Sequence, residues 1–147
     1  MYLTISGKCK NVDRNMIKDA VTFYAEYFDI DDKNFDLYLD FEKNLKKNSG
    51  DEGYCVSEGA RQYTISIDNG FSKRKTLIAL AHEMVHIKQY VKRELTHNER
   101  KKLSRYKGVI VEDKQQLLYW ELPWEIEAFG RELGLYALFM ESRKNKS

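Results

Sequence analysis

The sequence predicts an α+β fold, with an early helix, a small sheet, a central helix, a long loop and a terminal helix. Apolar residues recur at helical spacing in three separate segments, which predicts the three helices. Between the first two helices, apolar and polar residues alternate in short segments, which predicts the strands. A length of 147 residues fits one domain, spanning 1–147, with one hydrophobic core.

The first half of the chain predicts one helix followed by three strands. Apolar positions between Met16 and Phe28 lie at helical spacing, and Asp13 can cap the start of that helix. Residues 35–41 alternate as in a half-buried strand. The segments "GYCVSEG" and "RQYTISIDNG" predict two more strands, and the second ends at a turn signal, Asn69-Gly70.

The central helix is predicted for "KRKTLIALAHEMVHIKQYVKREL", with Ser72 as its N-cap. An apolar stripe predicts that this helix packs into the core; it consists of Leu77, Leu80, Ala81, Met84, Ile87 and Val91. We interpret the next segment, "THNERKKLSRYKG", as a polar connection with room for a short helix. A short strand at 109–111 and irregular chain after it complete this region.

The last helix is predicted at about 124–142, because Pro123 suits a first helical turn. Its expected buried stripe consists of Ile126, Phe129, Leu133, Ala137 and Met140. Gly130 and Gly134 are one turn apart, so we expect them to let this helix approach the central helix closely.

Composition excludes several kinds of protein and of partner. Hydrophobic residues make up 42% and charged residues 33% of the chain, which is typical of a globular protein. The formal net charge is +2, from 25 basic and 23 acidic residues, so electrostatics argue against a nucleic-acid partner.

We expect a cytoplasmic protein without a membrane partner, because neither a signal-peptide pattern nor an apolar run of membrane-spanning length is present. The two cysteines, Cys9 and Cys55, do not form a disulfide framework, which favours a reducing compartment. The oligomeric state stays open.

Two of the three histidines stand in the central helix, within "ALAHEMVHIKQY". His82 and His86 are four positions apart, so their rings share one helix face and can bind one zinc ion at about 2 Å. Glu83 is displaced around the helix and can take a proton from zinc-bound water. Two surface histidines are the alternative, but the apolar neighbours predict a partly buried face, where histidines need partners. This HExxH pattern therefore predicts a zinc site.

A catalytic zinc site needs a third protein ligand and an open fourth position. The metzincin arrangement needs a histidine six positions after His86, where Lys92 stands. His97 is a second candidate, although its polar surroundings are typical of a surface histidine. Glu125 and Glu127 are the third; both lie in a first helical turn, where carboxylates also serve simply as helix caps.

The order "HEMVH", "YKG", "YW" and "PWEIEA" resembles the gluzincin group of zincin metallopeptidases. More narrowly, it resembles small single-domain metallopeptidases of phage type, the minigluzincins. The resemblance covers roughly residues 63–133. It implies a zincin-like fold, in which a small mixed or antiparallel sheet packs on the HExxH helix and a C-terminal helix supplies the third ligand.

The resemblance also implies roles for individual residues. His82 and His86 would bind one Zn²⁺ per chain, and Glu83 would be the general base. Glu125 is preferred to Glu127 as third ligand, because related families often show alanine three positions after that glutamate, as this chain does.

The family often has an aspartate four positions after the liganding glutamate, and this chain has Phe129 there. A residue that orients the histidines must therefore come from elsewhere or be missing. Tyr119 and Tyr106 are candidate donors to the oxyanion formed in peptide hydrolysis. The strand "RQYTISID" is a candidate edge for an extended substrate.

The leading hypothesis is a zinc-dependent metallopeptidase that hydrolyses peptide or protein substrates through a zinc-bound water activated by Glu83. One alternative is a zinc-binding regulatory module that cleaves nothing or a single partner. Another is a DNA-associated protease of the SprT type, with His97 as the third ligand.

Overall fold

A computed structural model describes residues 1–112 and 117–145. The described residues form four α-helices: α1 (Arg14–Tyr27), α2 (Leu45–Ser49), α3 (Lys73–Val91) and α4 (Pro123–Lys144). They form seven strands: β1 (Tyr2–Ser6), β2 (Asp36–Glu42), β3 (Gly53–Ser57), β4 (Gln62–Asp68), β5 (Leu95–Asn98), β6 (Leu103–Tyr106) and β7 (Val109–Glu112). A 3₁₀ turn at Tyr119–Glu121 precedes α4. The α+β class is confirmed.

The larger sheet is mixed and has the order β1-β2-β4-β3. β1, β2 and β4 run parallel, and β3 joins β4 as an antiparallel neighbour. The alternation predicted for residues 35–41 is confirmed, because Leu37, Leu39 and Phe41 all point into the core. The sequence pattern missed β1, whose five residues have no fully buried side chain.

The strand "RQYTISID" was expected to offer a free edge, and this expectation is wrong. It forms β4, which is hydrogen-bonded to β2 on one side and β3 on the other. One edge of the sheet is instead β3, which is connected to β4 by the turn at 58–61. Among the described residues, β3 is therefore the sheet edge beside the central helix, which it contacts.

Helix α1 begins as predicted. The Asp13 carboxylate accepts a hydrogen bond from the Met16 amide at 2.8 Å, which satisfies one of the free N–H groups of the first turn. Its apolar face packs on α3, where the Tyr24 hydroxyl donates to the Leu77 carbonyl oxygen at 3.2 Å. Because both Tyr24 and Leu77 are fully buried, this bond ties the two helices together inside the core.

Helix α3 lies at the centre of the molecule, between the sheet, α1 and α4. Ser72 caps it by accepting a hydrogen bond from the Lys75 amide at 3.2 Å, as predicted. The helix ends at Val91, four residues earlier than the sequence pattern suggested, since Arg93 takes a left-handed conformation with φ 58°. Leu95 is therefore free to start β5.

The segment "THNERKKLSRYKG" is not a polar connection, because it forms β5 and β6 of a second, antiparallel sheet with the order β5-β6-β7. Only Leu95 and Ser104 are buried in these two strands, so their alternation is masked by charged residues. Lys107 and Gly108, with φ 48° and 84°, make the tight turn to β7 that Asn-Gly more often makes. The strand predicted at 109–111 is confirmed as β7, and residues 113–116 of the expected irregular chain lie outside the described residues.

The stripe predicted to be buried on α4 is wrong. Ile126, Phe129 and Leu133 are 57%, 38% and 53% exposed, Ala137 is exposed, and only Met140 packs partly against the core. The buried residues of α4 are instead Trp124, Glu125, Ala128, Leu135 and Phe139. Apolar residues occupy two sides of α4, so their spacing could not decide which side faces inwards.

The two glycines of α4 do not bring the helices together. Gly130 and Gly134 are exposed, and a Cβ atom added to either would meet no neighbouring atom within 4 Å. Ala128 is the small residue on the inward face, with no exposed surface. Across residues 1–112 and 117–145, no helix combines the length and the apolar character needed to cross a bilayer.

The corrected register of α4 can be tested with two substitutions of the same kind. Leu135→Ala should lower the free energy of unfolding by about 2–5 kcal/mol, because it opens a cavity in the core. Leu133→Ala should change it by no more than about 0.5 kcal/mol, because the side chain is half exposed. Urea denaturation of both variants measures the difference, and equal losses would contradict the register.

Candidate metal centre

Two buried histidines and one buried glutamate meet where α4 crosses α3. His82 and His86 lie on one face of α3, and Glu125 lies in the first turn of α4. The Oε1 atom of Glu125 is 3.1 Å from the Nε2 atom of each histidine. All three residues are buried at the helix interface: His82 is 9%, His86 6% and Glu125 8% exposed.

This geometry could hold one metal ion. One possible ligand atom from each residue lies within 4.8 Å of the other two. Two donors bound to one tetrahedral zinc ion at about 2.0–2.1 Å lie roughly 3.3 Å apart, which is close to the observed separations. Two imidazole nitrogens and one carboxylate oxygen are also a donor set that zinc accepts, with a position left for water or substrate.

The charges of the cluster depend on one another. Burial raises the pKa of Glu125, but hydrogen bonds from the two histidines and Tyr119 outweigh it and bring the pKa to about 2. Burial lowers the pKa of His82, but hydrogen bonds to Glu125 and Glu132 outweigh it and raise the pKa to about 9. Without a metal ion, the ionised Glu125 carboxylate therefore favours a protonated His82 beside it. A metal ion must displace that proton to bind.

Gln89 determines how the His86 ring is oriented. The Gln89 amide nitrogen donates to the Trp124 carbonyl oxygen at 3.0 Å and to Glu127 Oε1 at 2.9 Å. Both of these partners are acceptors, so the amide oxygen must face His86 Nδ1, at 2.8 Å. Nδ1 then carries a hydrogen, and the lone pair of Nε2 is left for a metal ion.

Glu132 plays the corresponding part for His82. Its Oε1 atom lies 3.4 Å from His82 Nδ1, on the side of the ring away from Glu125. The Phe129 ring packs edge-on against the imidazole, with the ring centroids 4.4 Å apart. Glu132 is thus the outer partner of the His82 ring. Phe129, which stands where the resemblance to gluzincins implied an aspartate, packs against that ring instead.

Sequence reasoning missed Gln89 and Glu132, although helix periodicity contained a signal for both. Gln89 stands one turn after His86 on α3, and Glu132 stands two turns after Glu125 on α4. Each therefore lies on the same helix face as a candidate ligand. The sequence alone could not show that the inward face of α4 carries Glu132.

Glu127 points into a different network. Its carboxylate accepts hydrogen bonds from Lys88, Gln89, Tyr106 and Arg131. Burial raises the pKa of Glu127, but these bonds, that of Lys88 foremost, outweigh it and bring the pKa to about 2. The structure therefore brings Glu125, and not Glu127, to the histidines, while Glu127 links α3, α4 and the second sheet.

Glu83 lies beside the histidines and is 4% exposed. Its Oε2 atom is buried and has no hydrogen-bond partner within the described residues. Burial raises the pKa of Glu83 above its ordinary value; the two histidines oppose this shift and nearby carboxylates add to it. A buried carboxylate oxygen without a protein partner is costly, so its place is suited to a water molecule or a substrate group.

A cleft passes over this cluster, between β3 on one side and the 3₁₀ turn with α4 on the other. Its two cavities measure about 440 and 200 Å³. His82 lines the larger cavity and His86 the smaller. Asp51, Gly53, Glu83 and Tyr119 line both, so these four residues stand at the junction of the two cavities.

The remaining candidate residues are divided between the two sides of α4. The Tyr119 hydroxyl donates to Glu125 Oε1 at 2.9 Å, which places it at the cluster. The Tyr106 hydroxyl donates to Glu127 Oε1 at 2.7 Å, in the other network. His97 lies on β5 with Nδ1 2.6 Å from Ser104 Oγ, and it is not part of the group formed by His82, His86 and Glu125.

Comparison of the chain with protein-family models, with curated proteins and with solved structures found no match. The likeness to gluzincins therefore rests on the quoted motifs. The geometry of the chain itself describes the candidate site: a buried histidine pair and a glutamate from a second helix, beside a Glu83 oxygen that has no hydrogen-bond partner among the described residues.

The two glutamates of α4 offer a matched test of this metal centre. Glu125→Gln should weaken zinc binding by more than the roughly 10–100-fold that loss of an outer partner costs, because it removes a charged ligand atom. Glu127→Gln should leave the affinity nearly unchanged, because Glu127 does not face the histidines. Competition with a chromophoric chelator measures both affinities; the reverse order would show that the wrong glutamate is assigned.

Proposed function

We propose that the protein is a zinc-dependent metallopeptidase with His82, His86 and Glu125 as metal ligands and Glu83 as the general base. One observation carries the proposal most strongly. The unpartnered Oε2 atom of Glu83 is buried beside the histidine pair, at the junction of the two cavities. A carboxylate placed in this way can act on a group that enters the cleft from either end.

The donor set supports zinc as the ion. Each histidine has an acceptor at Nδ1, Glu132 or Gln89, so that Nε2 is directed to the shared position. A bound zinc ion would supply Lewis acidity, which polarises a carbonyl group and acidifies water. Three protein ligands leave a coordination position open, which is typical of catalytic rather than structural zinc sites.

Glu83 supplies the proton transfers. In peptide hydrolysis it accepts a proton from the attacking water and then delivers that proton to the nitrogen of the departing amine. Burial raises the pKa of Glu83, and a raised pKa favours the uptake of a proton from water. Burial also excludes bulk water from the Glu83 carboxylate.

An extended substrate fits the cleft best. β3 is an edge strand of the larger sheet and borders both cavities. Gly53 lines each cavity, and Cys55 lines the smaller one. A peptide can pair with the free edge of β3 by main-chain hydrogen bonds and place side chains into the cavities on either side of Glu83. This role passes to β3 from β4, which is enclosed on both sides.

Tyr119 is the donor we assign to the developing oxyanion. Its hydroxyl lies at the metal cluster and it lines both cavities, whereas the Tyr106 hydroxyl is bound to Glu127. A hydroxyl that can turn from Glu125 to the substrate oxygen stabilises the charge that appears there in the transition state.

The alternative with His97 as third ligand has less support, because the His97 ring is engaged by Ser104 of β6 and by Tyr90 of α3. A module that binds zinc without cleaving peptides would have the same ligands, and hydrolysis itself distinguishes it from a peptidase.

The substitution Glu83→Gln separates metal binding from proton transfer. The variant should bind zinc with the affinity of the wild type, because no ligand is lost. It should hydrolyse peptides more slowly by roughly 10²–10⁴-fold, because the base is lost. Zinc content and cleavage of an unfolded protein and of short peptides, followed by mass spectrometry, are the measurements.

Two results would contradict the proposal. Full activity in Glu83→Gln would exclude the assigned base. A zinc-loaded wild type that cleaves neither the unfolded protein nor any peptide would favour the non-proteolytic alternative.

A second pair of variants tests the oxyanion donor. Tyr119→Phe should retain zinc and lower kcat on the order of 10²-fold, with KM little changed, because the lost hydrogen bond belongs to the transition state. Tyr106→Phe is the matched control and should stay close to the wild type in kcat. A larger loss in the control would place the effect in the packing of α4 and not in the chemistry.

A further inference from the structure

The larger cavity beside His82 has an acidic lining. Three carboxylates line it besides Glu83, those of Asp51, Glu52 and Glu132, and its described lining contains neither lysine nor arginine. We propose that this cavity selects a substrate side chain with a positive charge, that of arginine or lysine, next to the bond that is cleaved. The inference rests on the proposed peptidase function and names the substrate class for it.

The three carboxylates are not equally available. Glu52 is already bridged by Lys46 at 3.2 Å and Lys75 at 3.0 Å, so its charge is largely met. Asp51 has no ion pair or side-chain hydrogen bond among the described residues. Among the described residues, Glu132 has no lysine or arginine partner, and its one side-chain contact of this kind is with His82 Nδ1 at 3.4 Å. Asp51 and Glu132 are therefore the charges that a ligand meets.

An aromatic wall, formed by Tyr119, Trp120 and Phe129, lines the same cavity. The Trp120 and Phe129 rings pack with their centroids 4.8 Å apart, and Tyr119 contacts both of them at 5.6 and 6.1 Å. Trp120 is 67% exposed, so much of its ring is accessible. Aromatic faces attract guanidinium and ammonium groups and also cover the methylene stem of a long side chain.

The smaller cavity has a different character. It is lined beside His86 by Tyr54, Cys55, Tyr90, Leu95 and Trp124, and its carboxylates other than Asp51 are Glu83 and Glu125 of the reaction site itself. Glu52 and Glu132 line only the larger cavity, so the cationic preference is assigned to that side of the cleaved bond.

An apolar side chain is the competing occupant, since the aromatic wall alone would accept it. Burying leucine or phenylalanine there would strip water from Asp51 and Glu132 without giving them a partner, which is unfavourable. A cationic side chain satisfies the wall and the carboxylates together. The volume of about 440 Å³ is enough for a long side chain.

The test uses binding, so that it does not depend on catalysis. Zinc-loaded Glu83→Gln protein is titrated calorimetrically with peptides that differ at one position, carrying arginine, its neutral isostere citrulline, or leucine. The arginine peptide should bind about tenfold more tightly than either, and added salt should reduce the ratio. Equal binding of the three, or tighter binding of leucine, overturns the inference.

Charge variants locate the effect. Asp51→Asn, in the Glu83→Gln background, should reduce the ratio of arginine to citrulline binding several-fold without changing zinc content. Asp32→Asn removes an exposed carboxylate that lines neither cavity and should leave the ratio unchanged. Equal effects of the two variants would assign the preference to net charge and overturn the cavity as its source.

Wild-type cleavage of a peptide library then separates this inference from the proposed function. Cleavage with arginine or lysine enriched on one side of the cut supports both. Cleavage without that enrichment overturns the inference and leaves the peptidase standing. Selective binding of arginine without any cleavage overturns the peptidase and retains the cavity as a site for cationic side chains.

Discussion

The structure depends on the packing of α4 against α3, because this contact brings Glu125 to the two histidines. The three polar side chains of the cluster are buried at the interface, and Glu125 is the partner of both histidines. Its Oε1 atom lies 3.1 Å from the Nε2 atom of each ring. Left unpaired, each of these groups would cost free energy on burial. The same atoms that hold the helices in register without a metal ion are the atoms that a metal ion would take over.

Around this contact the outer polar groups are arranged in two layers. Gln89 and Glu132 fix the Nδ1 side of each imidazole, and Glu127 in turn fixes the amide of Gln89. Glu127 also receives the hydroxyl of Tyr106, so the second sheet is connected to the orientation of His86 through two side chains. The second sheet thus takes part in aligning the site, although none of the three cluster residues belongs to it.

The parts that the sequence could predict are those set by local geometry. The spacing of His82 and His86 follows from the helical turn, and Asp13 and Ser72 cap helices because a side-chain oxygen can reach a free N–H group nearby. The inward face of α4 was not predictable, since two of its sides are apolar and only the partner helix distinguishes them. Two strands of the second sheet, β5 and β6, were missed because they are short and charged, and tertiary contacts stabilise them.

The separation of the candidate ligands along the chain has a thermodynamic consequence. Glu125 follows His86 by 39 positions, and the second sheet lies between them. An ion bound by both residues would close this long loop and would bind the native state in preference to the unfolded chain. The free energy of unfolding would then rise with the free concentration of the ion. Loss of such an ion would then lower the free energy of unfolding as well as empty the site.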